Sequence, residues 1–244
     1  MTISTRVVIF LKLMISLSIM INLQLLPISP IIESVINMPR LKEEFVNEFE
    51  IEKSRFICYL NRAFNEEEAK AYILKIKKMH PNATHHCSAF LMGEHGELQR
   101  SNDDGEPSGT AGVPMLESLR MNQMNDVVAV VVRYFGGVKL GAGGLIRAYS
   151  KSVSQAIKLA PLTEKVLTYK YTLTFSYDLI GKIDYYLAHH DTEIIDKAYD
   201  EKVTYIYRSR RNDLLDEIQE IASGSASIDF LGEEIVEQEI KNDE

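Results

Sequence analysis

The sequence predicts an α+β protein of two domains, residues 40–160 and 164–244, which follow an apolar extension over residues 1–37. Its 244 residues include 45% apolar and 25% charged side chains, a balance that is typical of globular proteins and excludes disordered and fibrous classes. Strand and helix patterns stop at Pro161 and Thr163 and then restart. Each of the two segments is long enough to build its own core.

The first domain opens with strands and one helix. Apolar residues over Phe45–Ile51 and Phe56–Tyr59 predict an antiparallel strand pair. Asn65 and Glu68 form a capping box, after which apolar residues recur at helical spacing until Pro81. The elements that follow are a strand over 84–92, a polar loop over 101–112, a short helix over 114–124, a buried central strand over 127–132, a glycine loop over 136–144 and an amphipathic helix over 145–159.

The second domain has a simpler order of elements. We predict a strand over 166–175, a helix over 179–189, strands over 193–198 and 203–207, a helix over 214–222 and a strand over 228–239. This β-α-β-β-α-β order is the ferredoxin-like plan.

The N-terminal extension allows more than one interpretation. Residues 7–26 form an apolar run, interrupted by Lys12, that is long enough to span a bilayer as a helix. No small-residue cleavage site follows it, which disfavours a signal peptide. Met38 is an alternative to Met1 as the start, and a protein that begins there is cytoplasmic. If residues 7–26 are translated, they predict a membrane anchor or an amphipathic, partner-binding helix.

Charged residues are unevenly distributed along the chain. Residues 163–244 carry 9 Lys and Arg against 19 Asp and Glu, whereas residues 1–162 carry 18 against 16. The acidic second domain repels phosphate, so nucleic acid has to bind a local patch of the first domain, and a basic protein is the better partner for the second. Cys58 and Cys87 offer neither a disulfide framework nor a cysteine zinc site, which favours a reducing compartment.

Candidate functional residues concentrate in one stretch. Ten of the 13 glycines lie between Gly93 and Gly144. The candidates in and beside this stretch are His85, His86, Asp103, Asp104, Glu106, Arg133, Tyr134, Gly136, Gly137, Lys139, Gly141, Gly143, Gly144 and Arg147. Successive side chains on a strand point to opposite faces, so only one of His85 and His86 faces a given cleft.

The acids at 103, 104 and 106 suggest two kinds of chemistry. Neighbouring carboxylates that lose water raise one another's pKa, which suits general acid or base catalysis, with His86, Asp104 and Glu106 as candidates. Histidine and carboxylate also bind zinc or manganese, but this spacing is not diagnostic, and we expect neither metal nor cofactor. The alternative is a structural loop whose acids accept backbone N–H groups and bind a histidine.

The glycines after the central strand suggest an anion site. Bare backbone N–H groups at the start of a helix converge with Arg133, Lys139 and Arg147 on a phosphate. Ile146 stands where a Rossmann motif has its third glycine, and Ala142 stands where a Walker loop has its lysine. These glycines also permit tight packing, so a purely structural role stays open.

Four motifs resemble those of a known family. They are Lys53-Ser54-Arg55-Phe56, His85-His86-Cys87, the stretch from Ser101 to Gly112, and the stretch from Val130 to Gly137 followed by Leu140-Gly141 and Gly143-Gly144-Leu145. On these motifs the chain is similar to the Impact family, close to its bacterial YigZ-like branch. The resemblance covers residues 45–160 as an Impact domain and extends through 164–240 as a ferredoxin-like domain.

The resemblance implies a fold and a role in translation. The first domain resembles domain four of elongation factor G, a ribosomal-protein-like βαβ fold, and the second resembles that factor's ferredoxin-like domains. We therefore expect a non-catalytic protein, associated with the regulation of translation, that binds RNA or a ribosomal surface between the Asp103 loop and the Gly136 loop. Either Tyr134 or Phe135 stacks on a base, since alternation turns only one of them outward.

A small-molecule enzyme is the main alternative. In this hydrolase-type interpretation His86 or Asp104 is the general base, and the glycine loop seats a phosphorylated or peptide-like substrate. The sequence has neither a Ser-His-Asp order nor an HExxH motif, so it favours a non-enzymatic role without settling whether a reaction is catalysed. A plain interaction module is a third interpretation.

Overall fold

A computed structural model describes residues 38–93 and 96–240, which belong to one compact unit. They form two five-stranded antiparallel sheets, each with its own helices and core, and so confirm the α+β, two-domain fold. The predictions for residues 7–26 lie outside the described residues. Among the helices of the described part, none is long and apolar enough to cross a membrane.

The first half of the chain begins with a short strand that pairs with a strand of the second sheet. In chain order they are β1 (Arg40–Leu41), β2 (Phe45–Ile51), β3 (Ser54–Arg62), α1 (Glu66–Met79), β4 (His85–Met92), β5 (Leu98–Asn102), α2 (Gly112–Met121), β6 (Val127–Tyr134) and α3 (Gly141–Leu159). The first sheet has the strand order β2-β3-β6-β4-β5. The central position predicted for β6 is confirmed.

Helices cover both faces of this first sheet. Val128, Val130 and Val132 of β6 pack on the α1 side. The intervening residues of β6 belong to a second cluster, which includes side chains of α2 and α3. A strand that is buried on both faces reads as a continuous apolar run, which is what residues 127–132 show.

Asn65 caps α1 as predicted, while the Glu68 side chain reaches back to the residue before the cap. The Glu68 N–H donates to Asn65 Oδ1 at 2.9 Å, and Glu68 Oε2 accepts the Phe64 N–H at 2.8 Å. Two predictions in this half need correction. Residues 98–102 form β5, a strand that the sequence analysis did not identify, and α3 begins at Gly141 rather than at Leu145.

The second half adopts the predicted ferredoxin-like arrangement. Its elements are β7 (Leu162–Phe175), a 3₁₀ turn (Tyr177–Leu179), α4 (Ile180–Ala188), β8 (Thr192–Tyr199), β9 (Val203–Ser209), α5 (Leu214–Ile221) and β10 (Ser227–Glu239). Strands β10, β7, β9 and β8 lie side by side in that order, and α4 and α5 pack on one core with them.

Polar contacts join the two halves. β7 begins at Leu162, earlier than predicted, and its first residues pair with β1, so Arg40–Leu41 belongs to the second sheet. Arg62, at the end of β3, donates to Thr163 Oγ1 at 2.8 Å and to Glu237 Oε2 at 2.6 Å. Lys42 Nζ lies 2.8 Å from Glu239 Oε2. This hydrogen bond and the two ion pairs join the start of β7 and the end of β10 to the first domain.

Candidate functional site

Two loops of the first domain contain most of the candidate residues. The acid loop, residues 103–111, connects β5 to α2, and the glycine loop, residues 135–140, connects β6 to α3. Both loops therefore lie at helix N-termini, where unpaired N–H groups attract negative charge. The side chains of the acid loop bind neighbouring elements of the first domain, whereas Lys139 of the glycine loop is exposed.

Asp103 caps α2. Its Oδ1 accepts N–H groups from Ala111 at 3.0 Å and Gly112 at 2.8 Å, and its Oδ2 accepts the Gly109 N–H at 2.8 Å. Partial burial raises the pKa of this carboxyl, but the three N–H donors outweigh that effect and hold the pKa below its usual value. Asp103 is therefore an ionised helix cap, as the structural interpretation of the loop predicts.

Asp104 ties the acid loop to α1 and β4. Its Oδ1 lies 2.6 Å from Lys77 Nζ, and its Oδ2 accepts the His86 N–H at 2.7 Å. Partial burial raises the pKa of Asp104, and the bonds from Lys77 and from the His86 backbone lower it by more. Both carboxylate oxygens are thus bound to neighbours, which opposes a role as general base.

Glu106 forms the centre of a buried polar cluster. Its Oε1 lies 2.6 Å from Arg133 Nη1 and accepts the Tyr149 hydroxyl at 2.8 Å. Its Oε2 lies 3.8 Å from His85 Nε2. Arg133 Nη2 also donates to Ser54 Oγ at 3.3 Å. The Arg133 guanidinium therefore neutralises Glu106 inside the domain.

This cluster corrects the interpretation of Arg133. We predicted that Arg133 holds an anion with Lys139 and Arg147, but its side chain is only 5% exposed and is paired with Glu106. The ion pair also joins the acid loop to the end of β6, beside the glycine loop. Lys139 and Arg147 are exposed and form no ion pair within residues 38–93 and 96–240, so these two side chains remain available to an anion.

The two histidines face opposite sides of the sheet, as strand alternation predicts. His85 Nδ1 donates to the Asp104 carbonyl at 2.9 Å on the side of α2 and α3. His86 Nε2 donates to the His80 carbonyl at 2.9 Å on the α1 side. Cys87 Sγ donates to the Asp103 carbonyl at 3.0 Å, and burial raises the pKa of its thiol to about 12.

Tyr134 and Phe135 also separate. The Tyr134 hydroxyl is hydrogen-bonded to His80 Nδ1 at 2.9 Å, and its ring is half-buried. Phe135 is 46% exposed, and the Arg133 guanidinium lies 5.5 Å from the centre of its ring. Phe135 is therefore the aromatic side chain that solvent reaches, and Tyr134 is a structural residue.

The glycine loop leads into an uncapped helix. The N-cap residue Leu140 makes no side-chain capping bond, and the first turn of α3 contains no acid. Gly141 and Gly143 are exposed, and a Cβ added at Gly143 would lie 3.6 Å from an Arg147 guanidinium nitrogen. Arg147 thus folds back over the first turn, so that its charge adds to that of the helix N-terminus.

The glycines of this region have different roles. A Cβ on Gly136 would lie 2.0 Å from the Lys53 backbone, so close packing requires glycine there. Gly137 and Gly141 have φ of 88° and 69° and no atom near the position of an added Cβ, so they supply backbone conformation instead. Gly144 packs against Leu140, where an added Cβ would come within 2.9 Å.

A run without acids distinguishes this part of the chain from the rest. From Val127 to Thr163 the sequence contains no Asp or Glu, although the whole chain has a net charge of −8. The basic residues of the run are Arg133, Lys139, Arg147, Lys151 and Lys158, and all except Arg133 are exposed. Sequence reasoning named the first three but missed the length of the acid-free run.

No three His, Cys, Asp or Glu side chains within the described ranges are grouped as metal ligands. His85, Asp103, Asp104 and Glu106 instead bind the neighbours given above. The residues that the sequence analysis missed at this site are the partners in those bonds, Ser54, Lys77 and Tyr149. The position of Arg133 at the end of a buried strand was the available signal, because a buried guanidinium requires an acidic partner.

Comparisons with known proteins match both halves of the chain. The Impact N-terminal domain family matches residues 52–157, and a domain family of unknown function, DUF1949, matches residues 173–225. The chain is 47% identical over 191 residues to the IMPACT family member YvyE of Bacillus subtilis, which covers 77% of this chain and 88% of that protein.

A second family member and a solved structure are also similar to the chain. The IMPACT family member YigZ of Escherichia coli is 41% identical over 152 residues, which covers 62% of this chain and 74% of that protein. A solved crystal structure of a hypothetical protein matches with a TM-score of 0.52 and 33% identity, and covers 79% of this chain and 96% of that one.

Proposed function

The chain belongs to the Impact family, and from that premise we propose that it is a non-catalytic, translation-associated protein that binds RNA phosphate on a ribosomal surface. The binding surface is the glycine loop together with the exposed side of α3. The acid-free run from Val127 to Thr163 is the observation that carries this proposal. The resemblance of the first domain to domain four of elongation factor G supports it.

Electrostatics supports a local rather than a general attraction. The bulk field of a chain with net charge −8 repels a nucleic acid, so attraction has to come from a short-range patch. Lys139, Arg147, Lys151 and Lys158 supply four exposed positive charges on one loop and one helix. Such a patch binds phosphate without reading sequence, because phosphate contacts position a protein on nucleic acid but do not specify bases.

The geometry of the first turn of α3 suits a phosphate group. The open N–H groups at Gly141 and Gly143 point out of a 19-residue helix, and Arg147 lies beside them. Phe135 adds a flat exposed surface four residues before Lys139, on which a base can stack. Stacking of this kind contributes about 1–3 kcal/mol per base in single-strand binding.

The acid loop has a structural role in this proposal. Asp104, a candidate general base, is bound to Lys77 and to the His86 N–H, and Glu106 is bound to Arg133 and Tyr149. Their bonds hold α1, α2 and α3 around the first sheet and so fix the glycine loop. The acidic second domain, as a partner for a basic protein, stays a prediction.

Co-sedimentation of the full chain with purified ribosomal subunits, at several salt concentrations, tests the proposal. We expect binding at low salt that weakens steeply as salt rises. The double variant Lys139→Ala/Arg147→Ala should weaken binding about tenfold or more, and should reduce the slope of log affinity against log salt by about 1.5, because two phosphate contacts are lost.

The control is Lys182→Ala/Lys202→Ala, which removes the same charge from exposed positions of the second domain. It should bind like the wild type. Failure of the wild type to co-sediment at low salt would refute the proposal. Equal weakening by both double variants would show that net charge, rather than the glycine loop, controls the association.

A further inference from the structure

A cavity of about 390 Å³ lies on the α1 side of the first sheet, whereas α3 lies on the other side. It opens between α1 and the strands β4 and β5, of which β5 is at the edge of the sheet. Its lining comes from Glu66, Lys70, Ile73, Leu74, Lys77, His86, Ser88, Phe90, Arg100, Ser101 and Asn102. Its volume falls within the range of small-molecule sites. The cavity is separate from the surface proposed above for RNA.

The cavity follows from how helices cover this sheet. A helix with its side chains is about 10 Å wide, whereas five strands about 4.8 Å apart form a much wider surface. On the α1 side a single helix packs against β6 and β4, through buried residues that include Tyr72 and Ile76. The outer part of β4 and all of β5 therefore remain beside the helix rather than beneath it.

The floor of the cavity combines apolar and polar groups. Phe90 and Ile73 supply apolar surface. Ser88 is only 6% exposed, and within the described part of the chain its hydroxyl forms no hydrogen bond. A hydroxyl that faces a cavity and has no protein partner is available to form a hydrogen bond with a bound molecule.

Three basic side chains and one acidic side chain, Glu66, line the cavity. Lys70 is paired with Glu66 at 2.9 Å, and Lys77 is paired with Asp104 at 2.6 Å. Arg100 donates to the Gln99 carbonyl at 3.0 Å but forms no ion pair within residues 38–93 and 96–240. An exposed guanidinium with most of its donors free is well suited to a phosphate or carboxylate group.

From these observations we propose that the cavity binds a small phosphorylated molecule with a flat or apolar body, of the size of a nucleoside monophosphate. Arg100 binds the phosphate at the rim. The body lies on Phe90 and Ile73, and the Ser88 hydroxyl bonds to a polar atom of that body. The site binds a free small molecule on the face opposite α3.

Titration calorimetry on the full chain tests this proposal with defined probes. The probes are AMP, GMP, CMP and UMP, the four corresponding nucleosides, and inorganic phosphate. We expect at least one nucleotide to bind at submillimolar concentration, and to bind more tightly than either its nucleoside or inorganic phosphate. Arg100→Gln should weaken this binding about tenfold, and Ser88→Ala about fivefold.

The matched control is Arg147→Gln, the same substitution at the start of α3. It should leave nucleotide binding unchanged and weaken ribosome binding, and Arg100→Gln should do the reverse, so the two proposals fail independently. The absence of binding by all four nucleotides at millimolar concentration would overturn the cavity proposal. Binding of inorganic phosphate as tight as that of the nucleotides would also overturn it. Nucleotide binding by Arg100→Gln and Ser88→Ala at the wild-type affinity would overturn it as well.

Discussion

The acid loop and the glycine loop both lead into a helix but differ in how their polar groups are used. In the acid loop, Asp103, Asp104 and Glu106 each bind a different element of the first domain. In the glycine loop and the first turns of α3, Lys139 and Arg147 are exposed beside open N–H groups. Both loops were candidates because of their charged residues and glycines. The contacts of the charged side chains distinguish a structural loop, whose acids are bonded within the domain, from a binding loop, whose basic side chains are free of ion pairs in the described part of the chain.

Position in the fold explains this difference. The acid loop lies among β4, β6 and α2, where a carboxylate loses water and has to be compensated by donors. The glycine loop lies at the end of a central strand, and its Phe135, Val138 and Lys139 side chains are exposed, whereas Leu140 packs against the core. The predictions below test whether the two loops differ in this way, and they run from the largest expected effect to the smallest.

Glu106→Gln should have the largest effect. The substitution keeps the shape of the side chain but leaves the Arg133 guanidinium buried without a counter-charge. Removing one partner of a buried ion pair costs about 3–5 kcal/mol. We therefore expect the free energy of unfolding, measured with urea, to fall by that amount.

The control for this variant is Glu117→Gln, which breaks the exposed pair of Glu117 with Arg120. A surface pair contributes about 0–1 kcal/mol, so this variant should unfold like the wild type. Equal losses in the two variants would contradict the assignment of Glu106 as the centre of a buried cluster.

Asp103→Asn should have the next largest effect. The asparagine amide places an NH₂ group where Oδ2 accepts the Gly109 N–H, and the charge that caps α2 is lost. Hydrogen bonds to charged groups contribute about 1.5–3 kcal/mol, so we expect a loss of about 2–3 kcal/mol near neutral pH. Asp229→Asn, at an exposed position of β10, should change stability by less than about 0.5 kcal/mol.

The stabilisation by Asp103 should also depend on pH. Because its N–H donors hold the pKa of Asp103 below the usual value, the ionised carboxylate stabilises the native state above about pH 4. That contribution is lost as the pH falls through the lowered pKa. The stability difference between wild type and Asp103→Asn should therefore be complete at about pH 7 and should shrink towards about pH 3. A difference that grows on acidification would contradict the capping role.

Two adjacent glycines test whether the glycine loop also has a structural part. Gly136→Ala places a Cβ 2.0 Å from the Lys53 backbone, so the strand β3 or the loop has to move, at a cost of about 2–3 kcal/mol. Gly137→Ala meets no atom but keeps a left-handed φ of 88°, which costs about 1 kcal/mol. Thermal unfolding of the two variants measures both losses, and equal losses would contradict the packing role of Gly136.

The sequence predicted most of this fold because its apolar patterns and its helix-start signal are strong. The unbroken β-branched run over residues 127–132 indicated a strand buried on both faces, and the capping box at Asn65 marked the start of α1. β5 was missed because LQRSN is short, polar and largely exposed, so it carries no alternating pattern. The glycines at the start of α3 also obscured the helix, since tertiary packing overrides their low helix propensity.

The candidate site was harder to predict, because its chemistry depends on pairs that are distant in sequence. Arg133 and Glu106 were both selected as candidates, but nothing local in the sequence indicates that they bind each other. Ser88 and Arg100 line a cavity that exists only because one helix covers five strands. Residue types and spacing therefore located the region, and the tertiary structure assigned the roles.

The smallest expected change in stability belongs to Lys139→Ala/Arg147→Ala. Both side chains are exposed, and neither forms an ion pair within the described ranges, so their removal should change the free energy of unfolding by less than about 0.5 kcal/mol. Urea unfolding under the buffer conditions of the ribosome experiment measures this change. A loss above about 1 kcal/mol would mean that these residues stabilise α3, and weaker ribosome binding by the variant would then reflect unfolding. If the variant keeps its stability but binds ribosomes more weakly, Lys139 and Arg147 act in binding, unlike the acids of the acid loop, which act in stability.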